Sequence, residues 1–318
     1  MPKRHDFKLF AGSSHPELAE RIARSFDRPL GGTELKSFSC SEQYVALMET
    51  VRDQIAFLIQ TCREGYVDTD YMQLFLMSNA AVNAYSKKRV AVVPHFGYAR
   101  QDKIHKKREP ISARMIADTM EANGIDHLIT CQLHSDQKQG FFKIPVDHVK
   151  AHALFAEYFR KKQLKNLAVV STDAGGVKNA KELADLLNAE LAILHKERPR
   201  HNESVITQVV GNVKGKTCIV YDDMIDTAGS VSGARKALAN HGANPEVYLA
   251  ATHPIFSEPA VERLREAHFK EVVVSDTLPL GPEKQFEGLK QISIAPLITE
   301  KIIKIVNLPL PQKENGLG

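Results

Sequence analysis

Short runs rich in valine and isoleucine recur along this chain, and between them lie longer stretches whose apolar residues return at helical spacing. The runs fall at 56–60, 90–93, 127–130, 167–171, 192–194, 217–221, 247–251 and 272–275, and the helical stretches at 71–85, 112–123, 151–161, 177–188 and 230–240. Gly124 and Gly242 stand where two of the helices should stop, a place glycine favours because it takes a left-handed backbone without strain. A strand that is apolar on both faces needs cover on both, and a crossover helix after each strand supplies it. The alternation therefore predicts an α/β fold in which helices flank a mostly parallel sheet.

At 318 residues and 43% hydrophobic content, the chain has enough apolar material for two cores. The two halves repeat one plan: 90–93 runs into a polar loop at 100–103, and 217–221 runs into an acidic loop beginning at Asp222. Domains over 1–150 and 151–308 are expected. The polar tail at 309–318, with its proline and glycines, should be loose.

Lysine and arginine (42) barely exceed aspartate and glutamate (38), and a net charge of +4 falls short of the basic stripe that nucleic-acid binding needs. Small anionic substrates suit this balance. Cys40, Cys62, Cys131 and Cys218 lie far apart in sequence, with neither a zinc-ligand spacing nor a disulfide framework. The first seven residues carry charge without the apolar centre of a signal peptide, and no apolar run approaches the roughly 18 residues needed to cross a bilayer. No membrane partner and a cytoplasmic location are expected.

The run 217–221 leads into Asp222, Asp223, Met224, Ile225, Asp226, Thr227, Ala228, Gly229 and Ser230, after which a helical pattern begins. A helix start offers unpaired N–H groups and a partial positive charge. The amides at 228–230, with the hydroxyls of Thr227 and Ser230, therefore form a candidate phosphate cradle, and Gly229 lets the backbone come close. Aspartates beside it would repel a bare phosphate, but they accept from neighbouring sugar hydroxyls or hold a hydrated Mg²⁺. An acidic turn with Ser230 as a simple N-cap is the plainer account of the same residues; the whole string favours a phosphorylated sugar.

With this string the chain resembles the ribose-phosphate diphosphokinases, also called phosphoribosyl pyrophosphate synthetases, over nearly its whole length. The resemblance implies two phosphoribosyltransferase-like α/β domains. It also implies a reaction in which the diphosphoryl group of ATP passes to the 1-hydroxyl of ribose 5-phosphate, releasing AMP with Mg²⁺ as cofactor. Asp222, Asp223, Asp226, Thr227, Ala228, Gly229 and Ser230 would hold ribose 5-phosphate. The segment 94–103 resembles the family's ATP-binding stretch, giving Arg100 a phosphate to fork onto and Gln101 a base edge. In the segment 37–42, Phe38 would stack on adenine and Glu42 would accept from its amino group, from a stretch that reaches across a subunit interface in the family. His134 and Asp173 match the metal ligands, and Lys196 and Arg198 match a cationic pair on a mobile loop over the triphosphate. A homo-oligomer built from dimers, a hexamer included, is implied as well.

Several positions depart from the family pattern. Ala228 stands for a glycine, Ser230 for a threonine, Cys40 and Ser41 for aspartate and glycine, and Gln132 for an aspartate. If residue 228 needs a positive φ, alanine there costs strain. Asp53 and Gln54 replace glycines after Arg52, the segment 83–86 lacks a basic doublet, and the tail lacks the usual closing pattern, so the family's regulation by phosphate and ADP is not carried over. These departures motivate one alternative, a catalytically quiet homologue that assembles with an active synthetase and regulates it. A phosphoribosyltransferase using the finished diphosphate donor is a third reading, disfavoured because such enzymes usually need one domain of this kind.

Overall fold

The computed structural model describes residues 5–133, 135–200 and 203–308, and their elements divide into two units. One takes in the chain up to Val149 together with the chain from Ala295 onward; the other is Lys150–Ile294.

The first unit runs β1 (Phe7–Ala11), α1 (Pro16–Arg24), the antiparallel pair β2 (Thr33–Ser37) and β3 (Gln43–Leu47), β4 (Ile55–Ile59), α2 (Val67–Asn83), β5 (Lys88–Val93), α3 (Ser112–Ala122), β6 (His127–Cys131) and β7 (Val146–Val149). Its sheet has the order β1-β4-β5-β6-β7, with every pair parallel. Strands β4 and β6 are buried at every position. Helix α2 packs on β4 and β5 with Leu74, Met77 and Ala81 buried. Each large aliphatic side chain buried in this way contributes about 1.5–3 kcal/mol, which is why the central strands read as unbroken apolar runs.

The second unit runs α4 (His152–Lys161), β8 (Leu167–Ser171), α5 (Val177–Leu187), β9 (Glu190–Arg200), β10 (Glu203–Val210), β11 (Thr217–Ile225), α6 (Gly229–Asn240), β12 (Tyr248–Pro254), α7 (Ala260–Ala267), β13 (Glu271–Ser275) and β14 (Leu289–Ile292). The strand order is β10-β9-β8-β11-β12-β13-β14, parallel except where β10 returns along β9. Strand β11 is central, and its C-terminal end is where an open parallel sheet gathers its ligands. The α/β class with helix-flanked parallel sheets agrees with the sequence reading.

The last helix, α8 (Ala295–Val306), lies with the first unit, whereas the sequence reading set residues to 308 in the second domain. Its apolar stripe of Ile298, Ile302, Ile303 and Val306 is buried, and it packs on α1 and β7. Lys301 pairs with Asp147 at 3.2 Å, and the His5 amide donates to the Val306 carbonyl at 3.2 Å. The tail at 309–318 lies outside the described residues.

Candidate active site

The strand expected to end at Tyr221 continues to Ile225. Asp222 and Met224 pair in parallel with Ala251 and His253 of β12, so the first acidic residues belong to the sheet. The turn proper is only Asp226, Thr227 and Ala228. Ala228 has φ 59° and ψ 6°, the left-handed region, and serves as N-cap of α6 with no side-chain cap. The Ser232 amide donates to the Ala228 carbonyl at 3.1 Å to close the first helical turn. The amides at 229–231 lie upstream of any intrahelical acceptor, and their dipoles sum to a partial positive charge at the helix mouth. Gly229 and Ser230 are exposed there. The structure thus places Asp222 and Asp223 near the end of β11, Asp226, Thr227 and Ala228 in the turn, and Gly229 and Ser230 at the start of α6.

Asp222 is held by two donors. The Thr172 hydroxyl donates to Oδ2 at 2.8 Å and the Asp223 amide to Oδ1 at 2.9 Å. Scarcity of water around the carboxyl raises its pKa well above the ordinary carboxylate range. The negative charge of Asp223 adds to the rise, and the Thr172 hydroxyl pulls the other way. Asp173 is exposed, and its Oδ1 accepts from the Gly176 amide at 3.0 Å, which fixes the turn between β8 and α5. The Ser171 hydroxyl donates to the Asp173 carbonyl at 2.7 Å, and a side chain at Gly176 would meet that hydroxyl at 2.9 Å.

The ATP candidates occupy two places in the first unit. Phe38 and Glu42 meet at the tip of the β2–β3 hairpin, where the Phe38 amide donates to the Glu42 carbonyl at 2.8 Å. Phe38 is 52% exposed and lies edge-to-face with Tyr44, ring centroids 6.1 Å apart. Ser41, with φ 73°, takes the left-handed position of this turn, and Cys40 is an exposed free thiol. Arg100 and Gln101 project from the connection between β5 and α3. That connection is pinned by the Tyr71 hydroxyl donating to the Gly97 carbonyl at 3.0 Å and by His95 Nδ1 against the Cys62 carbonyl at 2.7 Å. The Ser112 hydroxyl donates to Gln101 Oε1, which leaves the Gln101 amide nitrogen to meet a ligand.

His134 lies outside the described residues. Lys196 and Arg198 fall on β9 and not on an open loop; the strand pairs with β10 through Ile206 opposite Lys196, with register shifts on the β10 side. Their side chains lie outside the description. Among the described residues no three His, Cys, Asp or Glu side chains gather closely enough to hold a metal ion directly. No helix of the described residues is long and apolar enough to cross a membrane.

Three further residues brace the segments that carry these candidates, and none is visible in the sequence. Thr172 is the first. Arg263 of α7 is the second, donating from Nη1 to the Thr227 carbonyl at 2.9 Å and so tethering the turn between β11 and α6. His148 is the third; its Nε2 accepts from the Leu133 amide at 2.8 Å and steadies the exit of β6. Each acts across elements distant in sequence, so no local motif announces it.

Comparison with known proteins adds a separate line of evidence. The family model described as the N-terminal domain of ribose phosphate pyrophosphokinase matches residues 7–124, and that of the phosphoribosyl synthetase-associated domain matches 200–309. A ribose-phosphate pyrophosphokinase of Caldanaerobacter subterraneus subsp. tengcongensis is 43% identical over 303 residues, covering 95% of each chain. That of Bacillus subtilis is 41% identical over 300 residues, covering 94% of each. The crystal structure of phosphoribosylpyrophosphate synthetase from Mycobacterium smegmatis superposes with a TM-score of 0.88 at 39% identity, covering 95% of this chain and 99% of that one.

Proposed function

The chain belongs to the ribose-phosphate pyrophosphokinase family and catalyses transfer of the diphosphoryl group of ATP to ribose 5-phosphate; from that premise we propose which of its residues do the work. The products are phosphoribosyl diphosphate and AMP. The observation that carries the assignment is the connection from β11 to α6, where carboxylates on a strand end stand beside free helix-opening amides. The amides at 229–231 and the hydroxyls of Thr227 and Ser230 receive the 5-phosphate, while Asp222 and Asp223 accept from the ring hydroxyls. Asp226 holds the turn between them. Arg100 forks onto phosphate oxygens of ATP, Gln101 donates to its base or sugar, Phe38 stacks on adenine, and Glu42 accepts from the adenine amino group.

The residues fit Mg²⁺. Asp173 offers an exposed carboxylate whose charge is felt at Asp222, and oxygen donors in an electronegative setting suit a hydrated ion. Asp173 would hold it through water, and the family resemblance adds His134, which lies outside the described residues. When bound, the ion neutralises charge on the phosphate oxygens and orients them. The chain's own part is positioning: the 1-hydroxyl forms its bond to the β-phosphorus as the bridge to AMP breaks, and the hydroxyl proton leaves to solvent. Lys196 and Arg198 stabilise the charge spread over the transferred oxygens.

Purified protein given Mg²⁺, ATP and ribose 5-phosphate should release AMP stoichiometrically with phosphoribosyl diphosphate. ADP in place of AMP would overturn diphosphoryl transfer. The reading as a quiet regulatory homologue is not favoured, since the whole chain matches named synthetases. We place the protein in the cytoplasm as a dimer-based homo-oligomer reaching a hexamer, which light scattering on the purified chain tests.

A further inference from the structure

We propose that Thr172 is a positioning residue for ribose 5-phosphate, acting through Asp222. The inference rests on the reading that Asp222 accepts from the sugar hydroxyls. Strands β8 and β11 are parallel neighbours in register, Ser171 opposite Tyr221, so the next residues of each, Thr172 just past the end of β8 and Asp222 still within β11, lie side by side. Thr172 is 2% exposed, and its hydroxyl donates to Asp222 Oδ2 at 2.8 Å. The hydroxyl is the donor of this pair and the carboxyl oxygen the acceptor.

The consequence lies in what the two fixed donors leave behind. With Thr172 on Oδ2 and the Asp223 amide on Oδ1, the carboxylate plane cannot turn. The Asp223 carboxyl also meets this group, and the acceptor positions that remain are aimed in set directions, the arrangement that a pair of neighbouring sugar hydroxyls requires. Threonine suits the task because its branched side chain is stiff about χ1 and its methyl fills space in the buried edge. Without the hydroxyl, the carboxylate would rotate among orientations of which few match the diol, so binding of the sugar would weaken while ATP, which this carboxylate does not hold, would be unaffected.

The test uses the full chain with Thr172→Val, Thr172→Ser and Asp222→Asn, each assayed by AMP release for separate KM values and by calorimetry with ribose 5-phosphate alone. Thr172→Val should raise KM and Kd for ribose 5-phosphate about tenfold, as expected for losing a hydrogen bond to a charged group, with KM for ATP within about twofold of the parent. Thr172→Ser should restore the parent values to within about threefold. An unchanged KM for ribose 5-phosphate in Thr172→Val, an equal rise for both substrates, or no rescue by serine would overturn the proposal. Should the valine variant fail to fold, Thr172→Ala is read by the same criteria. Asp222→Asn separates the two claims: if it leaves ribose 5-phosphate binding untouched, the role of Asp222 itself falls; if it weakens binding while Thr172→Val does not, only the role of Thr172 falls.

Discussion

The connection that follows β11 and the one that follows β5 solve the same problem in opposite ways. Between β11 and α6 the chain spends only Asp226, Thr227 and Ala228, so the proposed donors are backbone amides fixed by the helix they open. Between β5 and α3 it spends residues 94–111, and the proposed ligand groups are side chains, Arg100 and Gln101, on a loop stapled by Tyr71, His95 and Ser112. A short connection has its geometry dictated by the two elements it joins and cannot be emptied of donors by a single side-chain truncation. A long one relies on each side chain it carries. The same contrast extends to β9, where the proposed roles of Lys196 and Arg198 rest on side chains alone.

The contrast breaks first at the cations. Arg198→Ala should lower kcat about 10²–10³-fold with both substrates saturating, because a lost transition-state donor has no backbone substitute. AMP release in rapid-quench assays measures this, and a loss smaller than tenfold would remove Arg198 from the chemical step. One step down in size, Arg100→Ala should raise KM for ATP by about ten- to a hundredfold and leave KM for ribose 5-phosphate alone. Thr227→Ala should raise KM for ribose 5-phosphate only about three- to fivefold, since the amides remain. If the Thr227 effect equalled that of Arg100, the distinction between backbone and side-chain recognition would be lost.

How much of this could be read in the sequence follows the same line. The β11–α6 site was legible because one uninterrupted string holds strand, acids, turn and helix start. The hairpin carrying Phe38 was not anticipated, since resemblance singled out only the segment 37–42; β2 is polar and half-exposed, and the short run 44–47 of β3 is partly exposed. Edge strands β7 and β14 escaped for the same reason. The docking of α8 and the contacts of Thr172 and Arg263 were closed to sequence reasoning. They depend on which elements become neighbours, and a strand order of β8-β11-β12 leaves no trace in linear spacing.

Asp222 sharpens the comparison through stability. Its folded pKa is raised, so the folded state binds a proton that the unfolded chain would release, and keeping the carboxylate charged above that pKa works against folding. The penalty is absent below the unfolded carboxylate range, grows as pH rises through it, and is complete once pH exceeds the raised folded value. Asp222→Asn removes the charge and still satisfies both neighbours, its oxygen accepting from the Asp223 amide and its nitrogen donating to Thr172. The variant should therefore melt higher than the parent at pH 7 and lose that advantage at acid pH, while binding ribose 5-phosphate less well. Equal melting at both pH values would mean that the site stores no electrostatic cost. No comparable test exists at Arg100, an exposed residue of the long loop.

The smallest effect tests the short connection most directly. Ala228 holds φ 59°, where a Cβ crowds the backbone at a cost of about 1–2 kcal/mol, and glycine carries no such penalty. Glycine returns part of that gain as extra freedom in the unfolded chain, so Ala228→Gly should stabilise the fold by about 1 kcal/mol, read as a shifted denaturant midpoint with an unchanged slope. Ala228 is buried, so its methyl also packs, and losing that contact trims the gain without reversing it if strain dominates. Its KM for ribose 5-phosphate should stay within about twofold, because the amides proposed to meet the phosphate belong to the helix and not to the cap side chain. A destabilised variant would show that packing of the Ala228 methyl outweighs its strain. A large rise in KM would show that the strained cap, and not the helix mouth, positions the donors.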